Sequence, residues 1–596
     1  MNKRLHFSQR SRALSRGAAR AWLRAVAWFE KRDWDEGGLL IIIGVLIGIA
    51  GGLSVVGFYW LIDFAHDALV IGVGARLSAV PQVVFPVLTA LGLWGAWAII
   101  RRFNVPDGQN VAEVQLAVAK RNGRIESRPV VWRTLATILT LASGGSAGSE
   151  GPVAVLGATV GSNVGRVLRF RPRRIKILVG CGAAAGISAA FSTPFGGAFF
   201  ALEQVLGSFS VGAFSPVVVA SVVGALTVRP FLGSTPAFDV PSYGESDAIT
   251  IALLFPLLGI VCGGGSVLFT RIYFLTKSSF DRWKAPAWLR PVFGGALIGS
   301  VVFVSRGLLI GEGHLAIPSQ VFGGLVWYLL LALALGKMLI TAVTLHAGGS
   351  GGVFTPTLYI GAALGAGTGA LVSQFLPQAE IHPETWGLIG MAGLVAGATR
   401  APMTAIFMVF ELTDDYAIVP PLMIVCVIAY AVARRWSPYG LYDGWLAQRG
   451  EYLQQGADRA LMDRIHARDA LDTRLVTVAP GATLADIVKA AERTHHTTIP
   501  VVEEDGTLLG VIFYDELRQA LLDRGQLANV LVAADIAQGT EVVTPDVSLR
   551  DALRVMNARA IDVVPVVRTR AEPVLVGVLS RGDVLAAYER ELMHAV

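Results

Sequence analysis

The sequence predicts a polytopic α-helical membrane protein built of two related, inverted halves with broken helices, followed by a soluble α/β pair of repeats. Three observations carry the prediction. The 596 residues are 53% hydrophobic and 16% charged, with a mean hydropathy of +0.57, whereas soluble domains carry about 25% charged residues. Uncharged runs long enough to cross a hydrocarbon core, which takes about 20 residues, recur through the first three quarters of the chain. Two separate internal duplications then mark out a membrane part and a soluble part.

The apolar runs are Leu39 to Ile62, Leu77 to Ile100, Ile177 to Leu202, Gln204 to Val228, Ala248 to Thr270 and Leu315 to Gly336. Before them, residues 1–36 form an arm with Arg4, Arg10, Arg12, Arg16, Arg20 and Arg24, expected to lie along the membrane as an amphipathic helix. No small-residue cleavage site stands out, so a cleaved leader is not expected. The net charge of +6 is read by location, because basic residues near membrane ends report topology and need not report nucleic acid. The arm, Arg101 and Arg102, Arg166 to Lys176, and Arg434 and Arg435 are expected in the cytoplasm. The acidic connections Asp239 to Asp247 and Glu380 to Glu384 are expected on the outer side. Both termini are therefore expected in the cytoplasm, and the protein in the inner (plasma) membrane, in contact with lipid. Cys181, Cys262 and Cys426 lie singly in apolar runs and read as small buried hydrophobes, with no disulfide or metal spacing. No metal or required cofactor is expected, and no constellation for nucleophilic or metal catalysis is present, so the chain does not read as an enzyme.

Residues 37–435 form the membrane domain, and a duplication runs through it. Gly144-Gly145-Ser146-Ala147-Gly148-Ser149-Glu150-Gly151-Pro152 matches Gly348-Gly349-Ser350-Gly351-Gly352-Val353-Phe354-Thr355-Pro356, 204 residues on, and Gly157-Ala158 recurs as Gly361-Ala362 in the same register. Downstream, Pro194, Phe199 and Glu203 recur as Pro402, Phe407 and Glu411, each 208 residues later. The halves run from about Leu39 to Pro230 and from Ala248 to Arg435, as in many transporters.

Each repeat sets a glycine-rich loop before a proline and a Gly/Ala-rich apolar run. Glycine lets the backbone approach a ligand, and proline suits the first turn of a helix. Each reads as a broken helix whose N-terminus starts at membrane depth, tolerated only where it is buried in protein or lines a cavity. Its free N–H groups and positive dipole end make an anion site that needs no lysine. One loop carries a carboxylate, Glu150, where the other carries Phe354. A carboxylate there can occupy the anion site itself and leave when protonated or displaced, and an ionisable group at this depth is costly and usually functional. Glu150 reads as a gate.

After Arg434 the composition becomes charged. Residues 436–470 read as a connecting segment, followed by repeats over 471–527 and 528–596. Pro480-Gly481-Ala482-Thr483-Leu484-Ala485-Asp486 matches Pro545-Asp546-Val547-Ser548-Leu549-Arg550-Asp551, and Ile499-Pro500-Val501-Val502 matches Val564-Pro565-Val566-Val567, both 65 residues apart. Strand, helix, strand, strand, helix in duplicate is the reading. This resembles a pair of CBS domains. The resemblance implies an adenine nucleotide (ATP, ADP or AMP) in the cleft between repeats, with the acidic residue that meets ribose falling on Asp583 and, as Glu where Asp is usual, on Glu516. The alternative is a dimerisation module with an empty cleft. His495 and His496 lie in the first repeat without a metal-ligand pattern.

In the membrane domain, Gly148-Ser149-Glu150-Gly151-Pro152 and Gly352-Val353-Phe354-Thr355-Pro356 resemble the two filter motifs of the CLC family of chloride channels and chloride/proton exchangers. The resemblance covers almost the whole chain. It implies a homodimer with one anion pathway per subunit, the amides of Val353 and Phe354 on the central anion with Ser149 and Gly151 beside it, and Glu150 as gate and proton acceptor. A tyrosine hydroxyl also meets the anion in the family, and Tyr442 matches that position best, with Tyr439 as the alternative.

Three positions depart from the family pattern. Gln109, in Gly108-Gln109-Asn110-Val111-Ala112, stands for the serine of the first filter motif, which leaves nitrate or fluoride selectivity as minor readings. Ser149 stands where Arg or Lys is frequent. Gln204, next to Glu203, stands where exchangers carry an internal proton-relay glutamate, and an amide cannot cycle a proton. Glu203 could substitute, but its repeat partner Glu411 points to a shared hydrogen-bonding role for both. The expectation is chloride transport that leans to channel-like or weakly proton-coupled conduction, with coupled exchange as the alternative and a non-conducting nucleotide-sensing scaffold as a rival. Divalent-cation transport would need intramembrane carboxylate clusters.

Overall fold

The computed structural model describes residues 36–69, 81–106, 110–233, 253–312, 324–377, 381–413, 415–449, 451, 462–463, 465–473, 475–494, 496–522, 531–559 and 561–594. The arm, Gln109, His495 and the acidic stretch Asp239 to Asp247 lie outside the described residues. The chain divides into two compact units, residues 1–453 and 454–596.

The described residues of the first unit form helices joined by turns and short loops. Its first half contains α1 (Glu36–His66), α2 (Pro81–Arg102), α3 (Asn110–Lys120), α4 (Ser127–Ala142), α5 (Glu150–Val167), α6 (Pro172–Phe191), α7 (Pro194–Phe200, extended by a π-helical turn Ala201–Leu206) and α8 (Val211–Leu232). The second contains α9 (Phe255–Asp281), α10 (Leu289–Val304), α11 (Trp327–Ala347), α12 (Phe354–Phe375), α13 (Pro383–Thr399), α14 (Pro402–Thr413), α15 (Val419–Trp436) and the short α16 (Leu441–Gln448). Among the described residues, eight helical stretches are long and apolar enough to cross a membrane. Leucine and aromatic side chains of α1, α8 and α9 are exposed on the outside of this unit, as lipid contact requires.

Three expected runs are corrected. Ile177 to Leu202 and Gln204 to Val228 are each interrupted. Ser192 turns left-handed at φ 57° and Thr193 leaves helical geometry ahead of Pro194, so α6 stops and α7 starts afresh; the residue before proline is pushed out of the α region. Gly207, also left-handed, ends the π-turn before α8. In the run Leu315 to Gly336, residues 315–323 lie outside the described residues, the chain turns at 324–326, and α11 runs from Trp327 to Ala347.

The duplication is visible contact by contact. The α5–α6 seam brings Gly157 against the Gly182 backbone, and α12–α13 brings Gly361 against that of Gly390, so that a Cβ at any of the four would strike main chain. Small residues allow this close approach. Arg400 turns left-handed at φ 65° where Ser192 does in the first half. Phe199 stacks on its own repeat partner Phe407, with ring centres 4.1 Å apart. Equivalent residues meet each other only where an axis relates the two halves.

The second unit holds two matched lobes. In the first, α17 (Leu484–Arg493) is followed by the antiparallel pair β1 (Thr498–Val502) and β2 (Leu508–Phe513) and by α18 (Tyr514–Leu522); in the second, α19 (Leu549–Arg559) leads to β3 (Val563–Val567), β4 (Leu575–Ser580) and α20 (Arg581–His594). Both hairpins break register at the same place, Val501/Val502 and Val566/Val567. The strand expected first in each repeat shrinks to single parallel bridges, Val478 to Val501 and Val543 to Val566. Residues 465–470, expected in the connecting segment, are built into the second lobe: Ile465, Ala467 and Ala470 join its core, and Ala467 donates its N–H to the Val547 carbonyl. Ala533 enters the first lobe in the same way, donating to Ala482. The lobes thus exchange their lead-in segments.

Candidate functional site

The site forms where the two glycine-rich loops meet. Gly148 and Gly352 exchange both backbone hydrogen bonds, N–H to carbonyl, at 2.9 and 2.7 Å. The flanking hydroxyls repeat the symmetry: the Ser146 N–H donates to Thr344 Oγ1 (3.1 Å) and that of Ser350 to Thr140 Oγ1 (3.0 Å). Ser146 Oγ pairs with Thr341 (2.8 Å) and Ser350 Oγ with Thr137 (2.9 Å). Left-handed Gly144 and Gly348 release α4 and α11 into the loops at φ 91° and 131°, conformations that side chains resist. Buried polar backbone is therefore paired loop to loop, and the N-termini of α5 and α12 are brought to one point.

Glu150 opens α5 and is fully buried. Its carboxylate reaches across the pseudo-axis, where Oε1 accepts the Phe354 N–H at 2.5 Å and Oε2 accepts the Thr355 hydroxyl at 2.8 Å. It sits on the first amide of α12, where the helix dipole favours negative charge. Gly148 and Gly352 flank it so closely that a Cβ on either would overlap the carboxylate oxygens. Those glycines therefore do two jobs: they pair the loops and clear the space that the carboxylate fills.

Around it, Val353 is the buried N-cap of α12 and Phe354 packs its ring between Phe191 and Phe200. Ser149 is buried and its hydroxyl pairs with Tyr59 at 2.9 Å. Gly151 lies buried in the first turn of α5. Tyr442, on α16, is buried, lies within electrostatic reach of Glu150, and its hydroxyl has no hydrogen-bond partner among the described residues; Tyr439 is half-exposed, at 39%. A buried hydroxyl without a partner costs free energy unless something else meets it. A cavity of about 440 Å³ lies against the Gly348–Gly351 loop, with Arg133, Lys277, Arg290 and Arg449 set against a single acid, Asp281. Its charge suits the approach of an anion.

Gln204 is buried against another amide. Gln115 Nε2 donates to the Gln204 backbone carbonyl (2.8 Å) and, at 3.4 Å, to its Oε1, while Gln204 Nε2 donates to the Thr399 carbonyl (3.2 Å). Glu203 accepts the N–H groups of Met403 and Thr404 and the Thr404 hydroxyl (3.2, 2.8 and 2.7 Å). Glu411 does the reciprocal work, accepting the N–H groups of Phe195 and Gly196 (2.8 and 2.7 Å). Each carboxylate caps the helix that opens the other half's motif, α14 or α7.

In the second unit, Asp583 Oδ2 accepts the N–H and hydroxyl of Ser580 (2.9 and 2.6 Å) at the start of α20, and Glu516 accepts Gln538 Nε2 (3.1 Å).

Sequence reasoning missed Lys337, Glu312, Gln115 and Tyr59. Lys337 carried a signal, a lysine inside an apolar helix, since such groups are functional by default. Gln115 and Tyr59 had none, because their partners become neighbours only in the fold.

Two halves of apolar helices, joined head to head at paired glycine-rich loops, define a polytopic membrane protein. A family model for voltage gated chloride channels matches residues 91–434, and one for CBS domains matches 467–523 and 534–590. The chain belongs to the voltage gated chloride channel (CLC) family and carries a CBS pair. It is 30% identical over 423 residues to a ClcB-like protein of Ralstonia nicotianae (69% of this chain, 97% of the relative). It is 28% identical over 427 residues to the H(+)/Cl(-) exchange transporter ClcA of Yersinia pestis (69% and 87%). The solved structure of a eukaryotic CLC transporter aligns with 91% of this chain and 97% of its own, at a TM-score of 0.61 and 19% identity.

Proposed function

We propose that this chain conducts chloride and related small anions through a pathway gated by the Glu150 carboxylate. The bond from the Phe354 N–H to Glu150 Oε1 carries this reading. Ionised, the carboxylate holds the amide that an anion needs. Protonated, or outcompeted by anions, it gives that amide up. Val353, Phe354, Ser149, Gly151 and the Tyr442 hydroxyl then complete the anion's surroundings, with Gln109 in the serine's place. Conduction is channel-like or only weakly proton-coupled, because Gln204 and Gln115 are amides and Glu203 is occupied as a helix cap. Coupled H+/Cl− exchange is the second reading, favoured by kinship with a relative named as an H(+)/Cl(-) exchange transporter.

The working form is a homodimer in the plasma membrane with cytoplasmic termini, and an adenine nucleotide between the CBS repeats modulates the gate through Asp583. The test of the gate is chloride flux from liposomes across a range of external pH. Wild-type flux rises as pH falls, while E150Q, a permanently neutral gate, conducts at one rate throughout. Full pH dependence in E150Q overturns the reading.

A further inference from the structure

Lys337 sits in the middle of α11 with no solvent exposure. Its ammonium donates to the carbonyls of Leu309 (3.1 Å) and Gly311 (2.7 Å) and lies 5.1 Å from the centre of the Tyr359 ring, whose hydroxyl donates to the Leu308 carbonyl (3.0 Å). These contacts clamp the turn that follows α10. The far side of that turn lies on the first filter loop: the Gly311 N–H faces the Gly144 carbonyl at 3.5 Å, and Ile310 packs over Gly144. The next residue is Glu312, itself buried at 9% exposure. Glu312 lies within electrostatic range of Lys337, of Glu150 and of Tyr59, the residue that holds Ser149. An acid and a base are thus held on a turn that packs against the Glu150 loop through Ile310 and the Gly311 N–H.

We propose that Glu312 is a second carboxylate of the Glu150 gate, held in place by Lys337, and that the pair sets the pH at which the gate releases. The inference rests on the gating role given to Glu150 above. The titratable groups that face Glu312 are Glu150 on α5, Lys337 on α11, and Tyr59 on α1 with Asp63 behind it. A negative neighbour disfavours a second ionised carboxylate, and a positive one favours it. Glu312 therefore promotes protonation and release of Glu150, and Lys337 supports that effect by keeping the Glu312 carboxylate ionised and in place. Both are positioning residues, because they act on the anion path through Glu150.

The test measures the pH midpoint of chloride flux from liposomes for full-length wild type, E312Q, E312D, K337M and E150Q. E312Q moves the midpoint to lower pH by about one pH unit for a close charge at partial burial, K337M moves it in the same direction, and E312D keeps the wild-type value. A purely structural role would move E312Q and E312D alike. An unmoved midpoint in E312Q, a shift to higher pH, or an equal shift in E312D overturns the inference. Should K337M fail to assemble, the comparison of E312Q with E312D decides alone. Lost pH dependence in E150Q with an unmoved midpoint in E312Q defeats only this inference, whereas retained pH dependence in E150Q defeats the gate itself.

Discussion

Glu150 occupies two donors that a bare helix end would offer to an anion, and glycines at 148 and 352 make the room. Substituting either with alanine places a methyl group on the carboxylate oxygens, so G148A and G352A are expected to displace Glu150 and to conduct at neutral pH with a weakened pH response. Flux assays read this directly, and wild-type pH dependence in both variants contradicts it. The glutamate and its loop were legible because a carboxylate ahead of a Gly-Pro helix start is chemically unusual within an apolar run. That its oxygens cross to the other half was not legible, since Phe354 lies 204 residues away and only the pairing of Gly148 with Gly352 brings it near. Tyr442 was chosen through its family position; it is buried, and its hydroxyl has no hydrogen-bond partner among the described residues.

At the scale of elements, the half-repeats are locked by reciprocal caps. Glu203 serves α14 and Glu411 serves α7 through charge-assisted bonds to backbone N–H groups, each bond worth about 1.5–3 kcal/mol when a charged partner is involved. E203Q and E411Q are expected to lower the thermal midpoint of the detergent-solubilised protein by similar amounts, with anion flux retained in the surviving fraction. Selective loss of proton movement in E203Q, with unchanged stability, would instead make Glu203 a relay. The sequence suggested a common role from the 208-residue spacing alone, but which helix each acid caps depends on how the halves fold together. In the soluble unit the Thr483 hydroxyl, and then its N–H, hold Asp486 below the usual carboxylate range. The folded-state value is depressed, so this capping contribution is fully present above the unfolded carboxyl range near ~4 and is lost as pH falls through the lowered value. T483A removes that dependence and destabilises the first lobe, as pH-dependent melting of the full chain would show. Helix breaks were the poorest element of the sequence reading: Ser192 and Gly207 carry no hydrophobicity signal, and their left-handed turns decide where apolar runs become two helices.

At the scale of the molecule, composition and duplication sufficed for the class: two related helical halves, then two matched α/β lobes. Exchange of residues 465–470 and Ala533 between the lobes was hidden, because a buried lead-in reads like any linker until its partner strand is known. That exchange ties both lobes into one cooperative body, with Asp583 and Glu516 set at matching helix starts. Calorimetry on the full-length protein in detergent is expected to give saturable binding of ATP, ADP or AMP that D583A weakens at least ten-fold, and absence of binding by the wild type contradicts it. The proton question also belongs to this scale, since a route must cross the whole membrane and the buried pair Gln204 and Gln115 is made of amides, which cannot cycle a proton. The most direct measurement is chloride efflux and external pH recorded together on protein in liposomes, with an outward chloride gradient and a clamped potential. Chloride efflux that rises on acidification, with no protons driven uphill, is the predicted result; uphill proton movement that stops in E150Q would contradict it.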